Sequence, residues 1–150
     1  MSELAFLAIE DNPNDSLFLE RAFRKLGFGE VLKVLADGHE ARDDLSGRGK
    51  YGPPIDCPVP DLIVLDLKLP RLNGFEFLSW LRADTRLASS PVVVLTSSSD
   101  PGDIERARSL GVISYFVKPG GFEKLLGCAK EIVSLRQELR MRKPVTGRFP

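Results

Sequence analysis

Residues that build metal and redox centres are scarce in this chain. There are two cysteines, Cys57 and Cys128, and one histidine, His39, in 150 residues. The cysteines lie far apart and without C-x-x-C spacing, so no ligand set for zinc can be drawn up. Two reduced thiols in a reducing compartment are expected instead. Long apolar runs are also missing: no eighteen consecutive apolar residues occur, and no charged-then-apolar N-terminal signal. A cytoplasmic protein that neither spans nor binds a membrane is the expectation. An excess of charge is the third absence. Lys+Arg and Asp+Glu number 21 each, so no global field favours nucleic acid or an acidic lipid surface. Internal repeats and low-complexity tracts are lacking too.

What remains is an ordinary globular composition, 43% hydrophobic and 28% charged, sized for one domain with a real core. Short apolar runs alternate with helical patterns. Leu4 to Ile9, Val31 to Leu35, Leu62 to Leu65, Pro91 to Leu95 and Ser114 to Val117 read as buried strands. Helices are predicted over Asn14–Leu26, with Leu17, Phe18, Ala22 and Leu26 at helical spacing, and over Gly38–Leu45, Phe75–Ala83 and Pro101–Leu110. A longer one runs from Phe122 to about Arg142. Asn12 or Asn14 can cap the first, with Pro13 in its first turn and Gly27 stopping it. Strict strand–helix alternation implies an α/β fold. The expected form is a doubly wound, five-stranded parallel sheet of flavodoxin-like order 2-1-3-4-5 with helices on both faces. Residues 1–143 form this domain, with a Gly- and Pro-rich insertion at about 46–60, an extended last helix and a frayed tail over 144–150. Within the insertion, Gly47 to Gly52 matches G-x-G-x-x-G. A helix precedes it and Pro53-Pro54 follows, whereas the dinucleotide motif must follow a strand and open a helix. It reads as a surface loop.

Four of the five strands run directly into a polar group: Glu10 and Asp11, then Asp66, Thr96 and Lys118. In a parallel sheet these ends share one edge, so the residues converge on one cleft. Three carboxylates there repel, and without a counter-charge at least one pKa rises. All-oxygen ligation selects a hard divalent cation, and a small open site that keeps several waters suits Mg²⁺. A metal and a lysine flanking a carboxylate make a site for a phosphoryl group, with Asp66 as the attacking atom. A carboxylate is already ionised at pH 7 and needs no neighbouring base. Thr96 can donate its hydroxyl to a phosphoryl oxygen.

These residues resemble the receiver domain of response regulators. The matching pieces are Glu10-Asp11, Asp66 with Pro70 and Gly74 following, Thr96, Ala107 with Gly111, and Tyr115 with Lys118-Pro119. They span residues 4 to 133 in the family's order. The resemblance implies a stand-alone regulator of a two-component system, not an enzyme, that takes phosphate on Asp66 from a sensor histidine kinase. It implies that Asp11 and Asp66 bind Mg²⁺ directly, that Glu10 supports it and that the backbone carbonyl of Lys68 completes the set. Thr96 and Lys118 then hold the phosphoryl group, Tyr115 is the aromatic switch, and the Lys118–Pro119 bond is cis. Self-phosphorylation from small phosphodonors and autodephosphorylation are also implied. Glu-Asp-Asn-Pro after the first strand and the insertion before the third are similar to the small regulators of bacterial phytochrome kinases. Lys68 and Ser98 stand where the family tunes phosphate lifetime.

Two other readings use the same fold. An aspartyl-phosphate phosphatase wants a second Asp two residues after the nucleophile, where Lys68 stands. A flavin-binding module wants a hydroxyl- and Gly-rich loop after the first strand, where Glu10-Asp11 stand. In the last helix, Phe122, Leu125, Leu126, Ala129, Ile132 and Val133 form the stripe that packs on the sheet. A second seam runs Leu125, Cys128, Ile132, Leu135, Leu139. Leu135, Leu139 and Met141 project past the expected end of the domain, which predicts a homodimer through this helix.

Overall fold

The computed structural model describes residues 4–46 and 59–150. Its strands are β1 (Phe6–Ile9), β2 (Leu32–Leu35), β3 (Leu62–Leu65), β4 (Val92–Thr96) and β5 (Ser114–Val117). The helices are α1 (Pro13–Lys25), α2 (Gly38–Ser46), α3 (Gly74–Ala83), α4 (Pro101–Ser109) and α5 (Phe122–Arg140). All strand pairs are parallel and the order is β2-β1-β3-β4-β5, as expected for the flavodoxin-like fold. Cys57 and the Gly47–Gly52 motif lie outside the described residues. Among the described residues, no helix is long and apolar enough to cross a membrane.

Alternation along each strand sorts the core into two layers. Phe6, Ala8, Leu62, Val64, Val93, Leu95 and Phe116 face α1 and α5. Leu7, Ile9, Ile63, Leu65, Val92 and Val94 face α2, α3 and α4. The helix signals operate where the sequence put them. Asn12 caps α1 by accepting from the N–H groups of Asn14 and Asp15, and Asn73 forms a capping box with Glu76 on α3. Gly74 opens α3 against the backbone that follows β3. A Cβ there would lie 2.5 Å from the Leu67 Cα and 2.6 Å from the Asp66 carbonyl oxygen. Only glycine lets α3 start so close to Asp66.

The inward face of α1 is Leu19, Ala22 and Phe23, while Leu17 and Phe18 are exposed. Phe23 wins that face because its ring meets Phe6 edge-on, 4.9 Å between centroids. Two expectations are corrected. In α5, Leu135 is buried and Leu139 packs against the same core, so of the three projecting groups only Met141 stays exposed.

The tail is not frayed. It lies along the open edge of β5: Tyr115 donates its backbone N–H to the Arg148 carbonyl at 2.8 Å, and Arg148 and the Ser114 hydroxyl exchange hydrogen bonds. Val145 packs on the α1/α5 side and Phe149 on the other, with Arg108 of α4 over the Phe149 ring. The tail thereby covers an edge strand whose unpaired groups would otherwise be open to another chain. Gly147 makes the approach possible, since a Cβ there would collide with the Ile113 carbonyl. Gly147→Ala is therefore expected to undock the tail while the sheet stays intact. Hydrogen exchange of the Tyr115 amide should quicken by about tenfold or more, the factor for about 1.4 kcal/mol of local opening.

Candidate functional site

Sheet hydrogen bonds continue one residue beyond the apolar runs and carry the polar groups to a common edge. Glu10 donates its N–H to the Leu35 carbonyl, Asp66 to Ile9 and Lys118 to Thr96, at 2.9, 3.1 and 2.7 Å. The result is the convergence expected from parallel strand ends. Carboxylate oxygens of Glu10, Asp11 and Asp66 all lie within 4.8 Å of one another. Glu10 and Asp66 are buried and Asp11 is exposed.

Lys118 is the counter-charge. Its ammonium contacts Glu10 at 2.6 Å, Asp66 at 2.8 Å and, unforeseen from the sequence, Asp15 at 2.8 Å. Asp66 also accepts the Lys68 N–H on its other oxygen, and Glu10 accepts the N–H of Asn12. Burial pushes the Glu10 carboxyl up to about 7, and repulsion from Asp66 adds to it, while the bonds from Lys118 and Asn12 pull it down. Burial disfavours the charged Lys118, but hydrogen bonds to Asp15, Asp66 and Glu10 outweigh that and hold its pKa above the ordinary lysine value.

Thr96 ends β4 between Asp66 and Lys118. It is fully buried, and among the described residues its hydroxyl has no hydrogen-bond partner. An unpaired buried hydroxyl costs free energy, so it is expected to be retained for a group that arrives later. The next loop is tied inward. The Ser98 hydroxyl donates to Asp103 at 2.6 Å, and the Ser98 carbonyl accepts the Tyr115 hydroxyl at 2.9 Å. Tyr115 is 2% exposed, so the aromatic ring on β5 points inward in this structure. Burial raises its phenol pKa.

Pro119 is corrected. No cis peptide occurs among the described residues, and Lys118–Pro119 is trans. Trans is the preferred isomer of an X–Pro bond, and here the chain reverses through Gly121, whose φ is +95°.

The donor set fits a hard divalent cation: three clustered carboxylates, two of them buried, and no sulfur or imidazole. A slot of about 360 Å³ opens beside it, between α1 and α5, from Glu10, Asp15 and Lys118 past Phe18, Leu19 and Leu125. Sequence reasoning missed Asp15 and the Ser98–Tyr115 tie. Asp15 had one signal, its place in the first turn of the helix that follows Glu10-Asp11.

Known proteins resemble the chain over this whole region. The family model described as response regulator receiver domain matches residues 6–130. The chain is 40% identical over 129 residues to the probable methanogenesis regulatory protein FilR2 of Methanothrix harundinacea, covering 84% of this chain and 79% of that protein. It is 32% identical over 128 residues to the response regulator Rcp1 of Synechocystis sp., covering 85% of each. A crystal structure of Rcp1 is in the Mn²⁺-bound form; it covers 87% of this chain and 91% of its own, with a TM-score of 0.77. The phosphorylated cyanobacterial phytochrome response regulator RcpA superposes with a TM-score of 0.81 at 29% identity, over 92% of this chain and 96% of its own.

Proposed function

The chain belongs to the response regulator receiver-domain family, and from that premise we propose how its cleft works. It is a response regulator of two-component signalling, a phosphoacceptor switch. Asp66 takes a phosphoryl group from a phosphohistidine of a sensor histidine kinase. The P–N bond breaks as a P–O bond to the Asp66 carboxylate forms, and the departing imidazole takes up a proton. Asp11 and Asp66, with Glu10 in support and the Lys68 carbonyl, would hold Mg²⁺, which would supply positive charge to the phosphoryl oxygens when bound. Lys118 supplies the second positive charge and Thr96 a hydroxyl donor. Drawing Thr96 toward the phosphoryl oxygens biases the Tyr115–Ser98 contact, and with it the face of α4, β5 and α5 that meets a partner.

The observation that carries this reading is the buried Asp66–Lys118 pair beside a buried Thr96 hydroxyl that has no partner among the described residues. Lys68 stands where an aspartyl phosphatase would need its second acid, which favours a switch over an enzyme of rapid turnover. The phytochrome regulators among the similar structures favour a kinase of the bacterial phytochrome type. Incubation with acetyl phosphate and Mg²⁺, followed by intact mass, tests the assignment. One phosphoryl adduct is expected in wild type and none in Asp66→Asn or after chelation. Equal labelling of both proteins refutes it.

We also propose a homodimer through the C-terminal helix region. Met141, 53% exposed at the end of α5, supports it. Light scattering well above micromolar concentration that returns a monomer mass overturns this part.

A further inference from the structure

We propose that Asp15 is a positioning residue that competes with the phosphoryl group for Lys118, so that α1 sets how readily the phosphorylated state is reached. The inference rests on the phosphoacceptor reading above. An ammonium has three N–H donors, and Lys118 has three carboxylate partners, Glu10, Asp15 and Asp66. Two of them donate to Asp15 and Asp66, and Glu10 lies in ion-pair contact, so the ammonium is enclosed by carboxylates before any phosphoryl group arrives. To bind a phosphoryl oxygen, Lys118 must therefore release one partner.

Exposure decides which. The side chains of Glu10 and Asp66 are 6% and 5% exposed, whereas that of Asp15 is 41% exposed. A released Asp15 is hydrated at once, while a released Glu10 keeps a buried carboxylate without its cation, and Asp66 stays in the site as the carrier of the phosphoryl group. Asp15 is the partner that lets go. It is held ready by local structure: Asn12 caps α1, accepts the Asp15 N–H at 3.1 Å and orients the first turn toward the cleft. An acid at a helix N-terminus also stabilises the helix by itself, so the test must separate that role from an effect transmitted through Lys118.

The probe is beryllofluoride, a phosphoryl mimic, titrated at saturating Mg²⁺ by calorimetry or fluorine NMR. Asp15→Asn is expected to tighten binding by about threefold to fivefold, the size of a part-exposed ion pair. Glu20→Gln makes the same charge change on the same helix and should leave the affinity unchanged. In a Lys118→Ala background, Asp15→Asn should also change nothing, because the competition has been removed. Equal tightening by Glu20→Gln, persistence of the effect without Lys118, or no change or weaker binding in Asp15→Asn overturns the proposal. Wild type that binds no beryllofluoride and takes no phosphate from acetyl phosphate would instead overturn the phosphoacceptor reading itself.

Discussion

Lys118→Ala is expected to lower the unfolding free energy by about 2–3 kcal/mol in metal-free buffer at pH 8. Removing one member of a buried ion pair costs roughly 3–5 kcal/mol, because the other charge stays buried without compensation. Lys118 is 18% exposed and Asp15 can turn to water, so the lower figure applies. The loss falls on Glu10 and Asp66, which share this cation and are both buried. The variant should also respond to pH in a definite direction. Glu10 already sits at about 7 in the folded protein against 4.5 ordinarily, and without Lys118 it moves higher. A folded-state carboxyl pKa above its unfolded value means that the native state binds the extra proton. Its contribution is therefore present at low pH and fades as pH rises from about 4.5 through the folded value. The gap between variant and wild type should be smaller at pH 6 than at pH 8. Saturating Mg²⁺ should close part of it, since a divalent cation among the same carboxylates replaces the missing charge. Urea unfolding at both pH values, with and without Mg²⁺, checks all three. Equal stability of variant and wild type in metal-free buffer at pH 8 would show that Lys118 is an ordinary solvated lysine.

The site was legible in the sequence wherever position along a strand was enough. Glu10, Asp66, Thr96 and Lys118 each follow an apolar run directly, with Asp11 next to Glu10, and parallel pairing brings such ends to one edge whatever the helices do. Asp15 was not legible in that way. It sits in the first turn of α1, and its contact with a lysine 103 residues away depends on how α1 and α5 pack. The inward face of α1 was not legible for a related reason. The helix carries two apolar stripes, Leu17/Phe18 and Leu19/Phe23, and periodicity cannot rank them. The Phe6 ring on β1 does. The tail defeats sequence reading differently: Val145 and Phe149 show neither period, because they bind on opposite sides of a sheet edge.

A larger loss, about 3–4 kcal/mol, is expected from Arg82→Ala, a residue with no motif around it. Arg82 lies in the last turn of α3 and is half-buried, with no carboxylate partner among the described residues. Its guanidinium donates instead to four backbone carbonyls: Leu110 at 2.8 Å, Gly111 at 3.2 Å, Ala88 at 3.1 Å and Ser90 at 2.7 Å. Those carbonyls belong to the turn that ends α4 and the loop that precedes β4. Arg82 thus fastens the entrances of β4 and β5 to α3. Hydrogen bonds from a charged donor contribute about 1.5–3 kcal/mol each, and an abandoned buried acceptor loses its full solvation. Water can reach part of this cluster, which limits the sum. Arg82→Lys should recover less than half, because one ammonium cannot reproduce a planar fork aimed at two loops. In urea the midpoint of Arg82→Ala should fall by about 1–2 M with an unchanged slope. The fastened ends are the amino ends of β4 and β5, whereas Asp66, Thr96 and Lys118 lie at the carboxyl ends. Under conditions where the variant remains folded, acetyl phosphate should therefore still label it to the wild-type extent. A midpoint within about 0.2 M of wild type would mean that water replaces the guanidinium at little cost. Loss of labelling in folded protein would mean that the two edges of the sheet are coupled.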